Sequence, residues 1–263
     1  LCVEAEALGC NVDFQTDVDV LLAPVVITPL PLDPAIDFKI DLEKAGRIPL
    51  VAQAIRLLKS DVGRAVAIGA WIPGPFTLAW QVFGMDGWLT VVSDENRAAS
   101  WLASFADFLA RVGNFYRTAG ADFLTVHEMG GTAQVVGASR FRKLIQPALV
   151  RLFSQLPSPK ILSICGDTNT IVREMALCGA SALHFDQKND VEHTRQMLGR
   201  DAIVLGNLDP LNVLSYGTPA LIREKVSEAA NAGVNAVMPG CDVYPDVSTT
   251  NMRAWVDQVN KHE

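Results

Sequence analysis

Thr118-Ala119-Gly120-Ala121-Asp122-Phe123-Leu124 carries the chain from the end of a helix into a strand within seven residues. Gly120 suits the left-handed backbone that closes a helix, because it has no Cβ to clash there. Phe123-Leu124 then opens a short apolar run of the kind that forms a strand. The same pattern returns at Leu177-Cys178-Gly179-Ala180-Ser181-Ala182-Leu183 and at Asn231-Ala232-Gly233-Val234-Asn235-Ala236-Val237. Successive copies lie about two strand–helix units apart.

Other apolar strands are predicted at Ala65 to Ala70, Lys160 to Ile164 and Ala202 to Leu205. Asn96 to Thr118 sets Trp101, Phe105, Phe108, Leu109, Val112 and Tyr116 at helical spacing, the stripe of an amphipathic helix rather than an aromatic ligand box. Strands alternating with helices predict a parallel sheet, and near-continuous apolar strands predict one covered on both faces. The expected fold is α/β, a parallel (β/α)8 barrel of the TIM type. Six strands are legible where a closed barrel needs eight. The chain opens in a helix-like run, Val3-Glu4-Ala5-Glu6-Ala7-Leu8-Gly9, so either two strands are not legible or the first units are missing or upstream of Leu1. Residues 1–263 read as one barrel domain, with a Pro-rich hairpin outside the main alternation around 13–40.

The 263 residues are 49% hydrophobic and 19% charged, enough for one large core. The net charge of -7 and the lack of any Lys/Arg cluster exclude a nucleic-acid partner. Pro24, Pro29 and Pro31 interrupt the longest apolar stretch below the roughly 18 residues of a membrane span. Five cysteines, an odd number at wide spacings, argue against a disulfide framework and for a reducing cytoplasm.

Chemistry in parallel barrels sits where strands end. Ser163-Ile164-Cys165, His184-Phe185-Asp186, Met238-Pro239-Gly240-Cys241 and Val126-His127-Glu128 are such ends. Residues two apart share a strand face, so Ser163 with Cys165, and His184 with Asp186, can both point inward. Cys165, Cys241 and His184 offer a Cys, Cys, His set that suits zinc, although isolated buried cysteines also serve as small hydrophobes. Cys178, beside a helix-capping Gly, reads as the latter. His127, His193 and His262 need no function on this reading.

Several segments together resemble the uroporphyrinogen decarboxylase superfamily, and more closely its methylcobamide:coenzyme M methyltransferase branch. They are Val3 to Cys10, Gly74-Pro75-Phe76-Thr77-Leu78-Ala79, Ile164-Cys165-Gly166-Asp167-Thr168, Gly206-Asn207-Leu208-Asp209-Pro210 and Pro239-Gly240-Cys241. Gly206 to Pro210 is common to the superfamily. Pro239-Gly240-Cys241 stands where decarboxylases typically read Leu-Gly-His, and favours methyl transfer. The branch's pattern is His-x-Cys on one strand and a distant Cys on the last, holding zinc that activates a thiol. Ser163 replaces that His here, and Gln187 stands in Asp186-Gln187-Lys188 where many relatives carry Glu.

Adjacent strands are about 4.8 Å apart, so His184 could reach the same metal from one strand over. The resemblance therefore implies a relocated site. Cys165, Cys241 and His184 would ligate zinc, Glu128 and Asp186 would take catalytic or orienting roles, and Ser163, Asn207 and Gln187 would contact substrate. The implied reaction passes a methyl group from a methylcorrinoid, delivered by a small corrinoid protein, to a small thiol such as coenzyme M. The rival readings are a uroporphyrinogen decarboxylase-like enzyme and a catalytically inactive corrinoid- or tetrapyrrole-binding homologue. Cys241 discriminates against the first, and bound metal would discriminate against the second.

Overall fold

The computed structural model describes residues 2–16, 23–32 and 35–261. His262 and parts of the 13–40 stretch lie outside them. Six parallel strands form one sheet among the described residues: β3 (Gly69–Pro73), β4 (Phe123–His127), β5 (Lys160–Ile164), β6 (Ala182–Phe185), β7 (Val204–Leu208) and β8 (Ala236–Pro239), paired in that order. Two short strands before them, β1 (Asn11–Asp13) and β2 (Val25–Thr28), pair antiparallel in a separate sheet.

The repeated glycines do what their chemistry permits. Gly120, Gly179 and Gly233 all take positive φ, at 116°, 86° and 103°. The helix Glu95–Ala119 starts on Asp94, whose carboxylate accepts from the amides of Asn96 and Arg97, and stops on Gly120. It buries Phe105, Phe108, Leu109, Val112 and Tyr116. Gly113 on that face lets the helix lie close to the sheet, because a Cβ there would stand 2.7 Å from Leu156 and 3.1 Å from Leu124.

One strand falls later than its sequence predicts. Ala65 to Ala70 reads as a strand, yet β3 is Gly69–Pro73. The amides of Ala65 and Val66 both donate to the carbonyl of Val62, so these residues wind off the helix Ile48–Asp61 instead of joining the sheet.

The sheet curls, and the site proves it. Cys165 follows β5 and Cys241 follows β8, three strand steps apart, which is about 14 Å in a flat sheet. Their Cα atoms are 6.1 Å apart. The strand ends therefore converge as in a barrel. Ile72, Val126 and Leu162 share one register row and are buried, and the next row sets His127 and Ser163 on the other face, toward the cavity that Trp71 also lines.

Burial has an electrostatic cost in the first helix. Glu4, in the helix Val3–Ala7, is buried, and its Oε2 has no hydrogen-bond partner among the described residues. Desolvation pushes its carboxyl from 4.5 up to about 7. The folded state thus holds this proton more tightly than the unfolded chain. Its stabilising effect is complete below pH 4.5 and is lost as pH rises through 7. Glu4→Gln should accordingly stabilise the protein by about 3 kcal/mol at pH 8 and by almost nothing at pH 4. Urea unfolding at the two pH values measures this, and an equal effect at both would refute the assignment.

Candidate metal centre

Register builds the site. His127, Ser163 and His184 lie level with one another on β4, β5 and β6, and all three face inward. Cys165 lies two residues beyond Ser163 on the same face. The Nε2 of His127 stands 2.9 Å from the Sγ of Cys165, and the sulfurs of Cys165 and Cys241 are in disulfide contact. The ligand atoms of His127, Cys165 and Cys241 all lie within 4.8 Å of one another. Two sulfurs and an imidazole nitrogen, on three different strand ends, are a donor set that fits zinc once the sulfurs are reduced.

The histidine is not the one expected. His184 gives both ring nitrogens to other partners: Nδ1 lies 2.8 Å from the Ser163 hydroxyl and Nε2 lies 2.6 Å from the carbonyl oxygen of Pro239. A carbonyl only accepts, so His184 donates from Nε2 and accepts the hydroxyl proton at Nδ1. No lone pair remains for a metal. Ser163 is thereby the partner of His184, and the imidazole that stands with the two sulfurs is that of His127, on β4. The sequence did present it, in the strand end Val126-His127-Glu128.

His127 is buried, and Trp71 on β3 packs edge-on against it with ring centroids 5.3 Å apart. The indole Nε1 donates to His127 Nδ1 at 3.1 Å. Burial pulls both imidazoles below the usual histidine range, against the opposing influence of Asp242. Trp71, His127, Ser163, His184, Cys241 and Asp242 all line one cavity of about 350 Å³.

The two carboxylates predicted to act at the site are occupied by backbone. Glu128 is fully buried; Oε2 accepts from the Phe76 amide at 2.9 Å, and Oε1 accepts from the Thr77 amide at 2.7 Å and from its hydroxyl. It ties the end of β4 to the start of the helix Pro75–Val92. Gly74 is required there, since a Cβ would stand 2.3 Å from Glu128 Oε2. Desolvation raises the Glu128 carboxyl to about 7, against the pull of these hydrogen bonds. Asp186 accepts from the amides of Gly166 and Lys188, each at 2.9 Å, and so anchors the turn that follows Cys165.

Asn189, which sequence reasoning missed, completes that anchor. It donates to the carbonyls of Gly166 and Asp186 and accepts from the amide and hydroxyl of Thr168. Asn207 donates to the Asn189 carbonyl at 2.9 Å. The predicted substrate contacts are not brought together: Ser163 faces the cavity with His127, whereas Gln187 and Asn207 line a separate one of about 580 Å³. Gln187 also packs against the last turn, where a Cβ on Gly240 would lie 2.8 Å from its Oε1. Cys178 is a buried thiol donating to the Glu174 carbonyl, and burial raises it to about 12.

Among the described residues, no helix is long and apolar enough to cross a membrane. The uroporphyrinogen decarboxylase (URO-D) family pattern matches residues 1–262. A methylated-thiol–coenzyme M methyltransferase of Methanosarcina mazei is 28% identical over 97% of this chain and 69% of its own length. The methylcobamide:CoM methyltransferase MtaA of Methanosarcina barkeri is also 28% identical, over 97% of this chain and 76% of its own. A solved methyltransferase from Methanosarcina mazei superposes with a TM-score of 0.92 at 26% identity, covering 99% of this chain and 78% of that one.

Proposed function

From the premise that this chain belongs to the uroporphyrinogen decarboxylase family, we propose that it is a corrinoid-dependent methyltransferase that moves a methyl group from a methylcobamide to a small thiol. One observation carries the reading: His127, Cys165 and Cys241 converge at the strand ends of the barrel. Family membership alone would equally suit a decarboxylase. A thiolate-rich donor set would not serve one, since protonating a carbanion calls for acids and bases rather than sulfur ligands.

His127, Cys165 and Cys241 would hold zinc, which would supply a Lewis acid that keeps the substrate thiol deprotonated near neutral pH. The chain's own residues do the rest. Asp186 and Asn189 fix the turn carrying Cys165, and Gln187 packs on the turn carrying Cys241. The cavity beside His127, with Ile161 and Met238 among its lining, accepts the thiol. The thiolate sulfur bonds the methyl carbon as the methyl–cobalt bond breaks, and that electron pair stays with the corrinoid. A small corrinoid protein presenting its cofactor at the strand ends is the methyl donor in this reading.

Reduced, zinc-supplied protein mixed with methylcobalamin and mercaptoethanesulfonate tests it. The expected result is a thiol-dependent loss of the methylcobalamin absorption with formation of the methyl thioether. Zinc-loaded protein that leaves the methyl–cobalt spectrum unchanged with that thiol and with simple alkyl thiols would sink the proposal.

A further inference from the structure

Trp71 decides which nitrogen of His127 is free to bind metal. An indole N–H donates and never accepts. Pointed at Nδ1 from 3.1 Å, it needs a lone pair there. The imidazolium and the Nδ1–H tautomer are both excluded, because each would set donor against donor. The proton of His127 must then sit on Nε2, 2.9 Å from the Cys165 sulfur. Drawn this way, His127 donates to sulfur and directs no lone pair at the cysteine pair.

A metal can take Nε2 only after the proton has moved to Nδ1, and the indole then has to turn away. Trp71 is half-buried and forms a wall of the 350 Å³ cavity, into which the indole can turn, and Asp242 lines the same cavity. Metal-bound histidines commonly donate their second N–H to a carboxylate.

We propose that Trp71 is a positioning residue that locks His127 as a hydrogen-bond donor to Cys165 in the metal-free site, so that zinc binding must displace the indole. This rests on the zinc reading above, but its first consequence concerns the metal-free protein alone.

Two measurements on reduced protein test it. In metal-free wild-type protein labelled with ¹⁵N-histidine, the proton of His127 should be found on Nε2. In Trp71→Phe, which keeps an aromatic ring but loses the donor, that preference should relax toward Nδ1–H. Competition against a chromophoric chelator should then show zinc bound about fivefold more tightly by Trp71→Phe than by wild type, the worth of one hydrogen bond. A wild-type His127 protonated on Nδ1, or on both nitrogens, overturns the proposal without need of the variant. Equal or weaker zinc binding by a folded Trp71→Phe also overturns it, while leaving the methyltransferase reading intact. Zinc bound by neither protein refutes the metal reading and the displacement of Trp71 together.

Discussion

His127→Ala is expected to lower zinc affinity by at least about 100-fold, whereas His184→Ala should leave it within about threefold. Partners that merely orient a metal-bound histidine are worth 10- to 100-fold, so losing a ligand should cost no less than about the upper figure. His184 has neither nitrogen free, being held by Ser163 and the Pro239 carbonyl. Its removal instead strands two buried polar groups, a cost of about 1–3 kcal/mol in stability. The two variants thus separate on two axes: His127→Ala loses metal, and His184→Ala loses stability. Zinc content after chelator challenge and urea midpoints read both. A His184→Ala protein that loses zinc as fully as His127→Ala would restore the ligand to β6.

The contrast also shows how far this sequence can be read without coordinates. The alternation was legible because Gly120 and Gly233 each end a helix, and Gly179 turns the chain from helix to strand, at a φ that other residues resist, and the strand Lys160–Ile164 is bounded in the structure where its apolar run begins and ends. Ala65 to Ala70 was misleading because the same apolar run serves a helix end as well as a strand, and only the bonds back to Val62 decide. Cys165 and Cys241 were legible as strand-end residues. Their histidine was not, because His127 and His184 stand level with Ser163 on its two flanks. Which of them turns toward sulfur depends on the Pro239 carbonyl reaching His184 across the curled sheet, a contact 55 residues away in sequence. Glu128 and Asp186 misled for a related reason. A carboxylate at a strand end looks available until the amides of Phe76, Thr77, Gly166 and Lys188 are seen to fill it.

If the cysteine pair exists to ionise a substrate thiol, the damage from removing Cys165 should depend on pH in a predictable way. A free alkyl thiol with a pKa of about 8.5 is only about 3% ionised at pH 7. Cys165→Ala should therefore slow methyl transfer by at least about 30-fold at pH 7, through ionisation alone. At pH 9.5 the same thiol is roughly nine-tenths ionised without help, so the deficit should shrink toward whatever positioning contributes. Ser would be a poorer test, since its hydroxyl could still accept from His127 Nε2. The measurement is the ratio of wild-type to variant rate with one thiol across that range, in excess reductant because Cys165 and Cys241 lie in disulfide contact. A ratio that narrows by tenfold or more supports ionisation as the site's contribution. A large ratio that stays flat would show instead that the pair positions the sulfur, and the thiol would have to lose its proton to some other group facing the cavity, of which Asp242 is the exposed carboxylate.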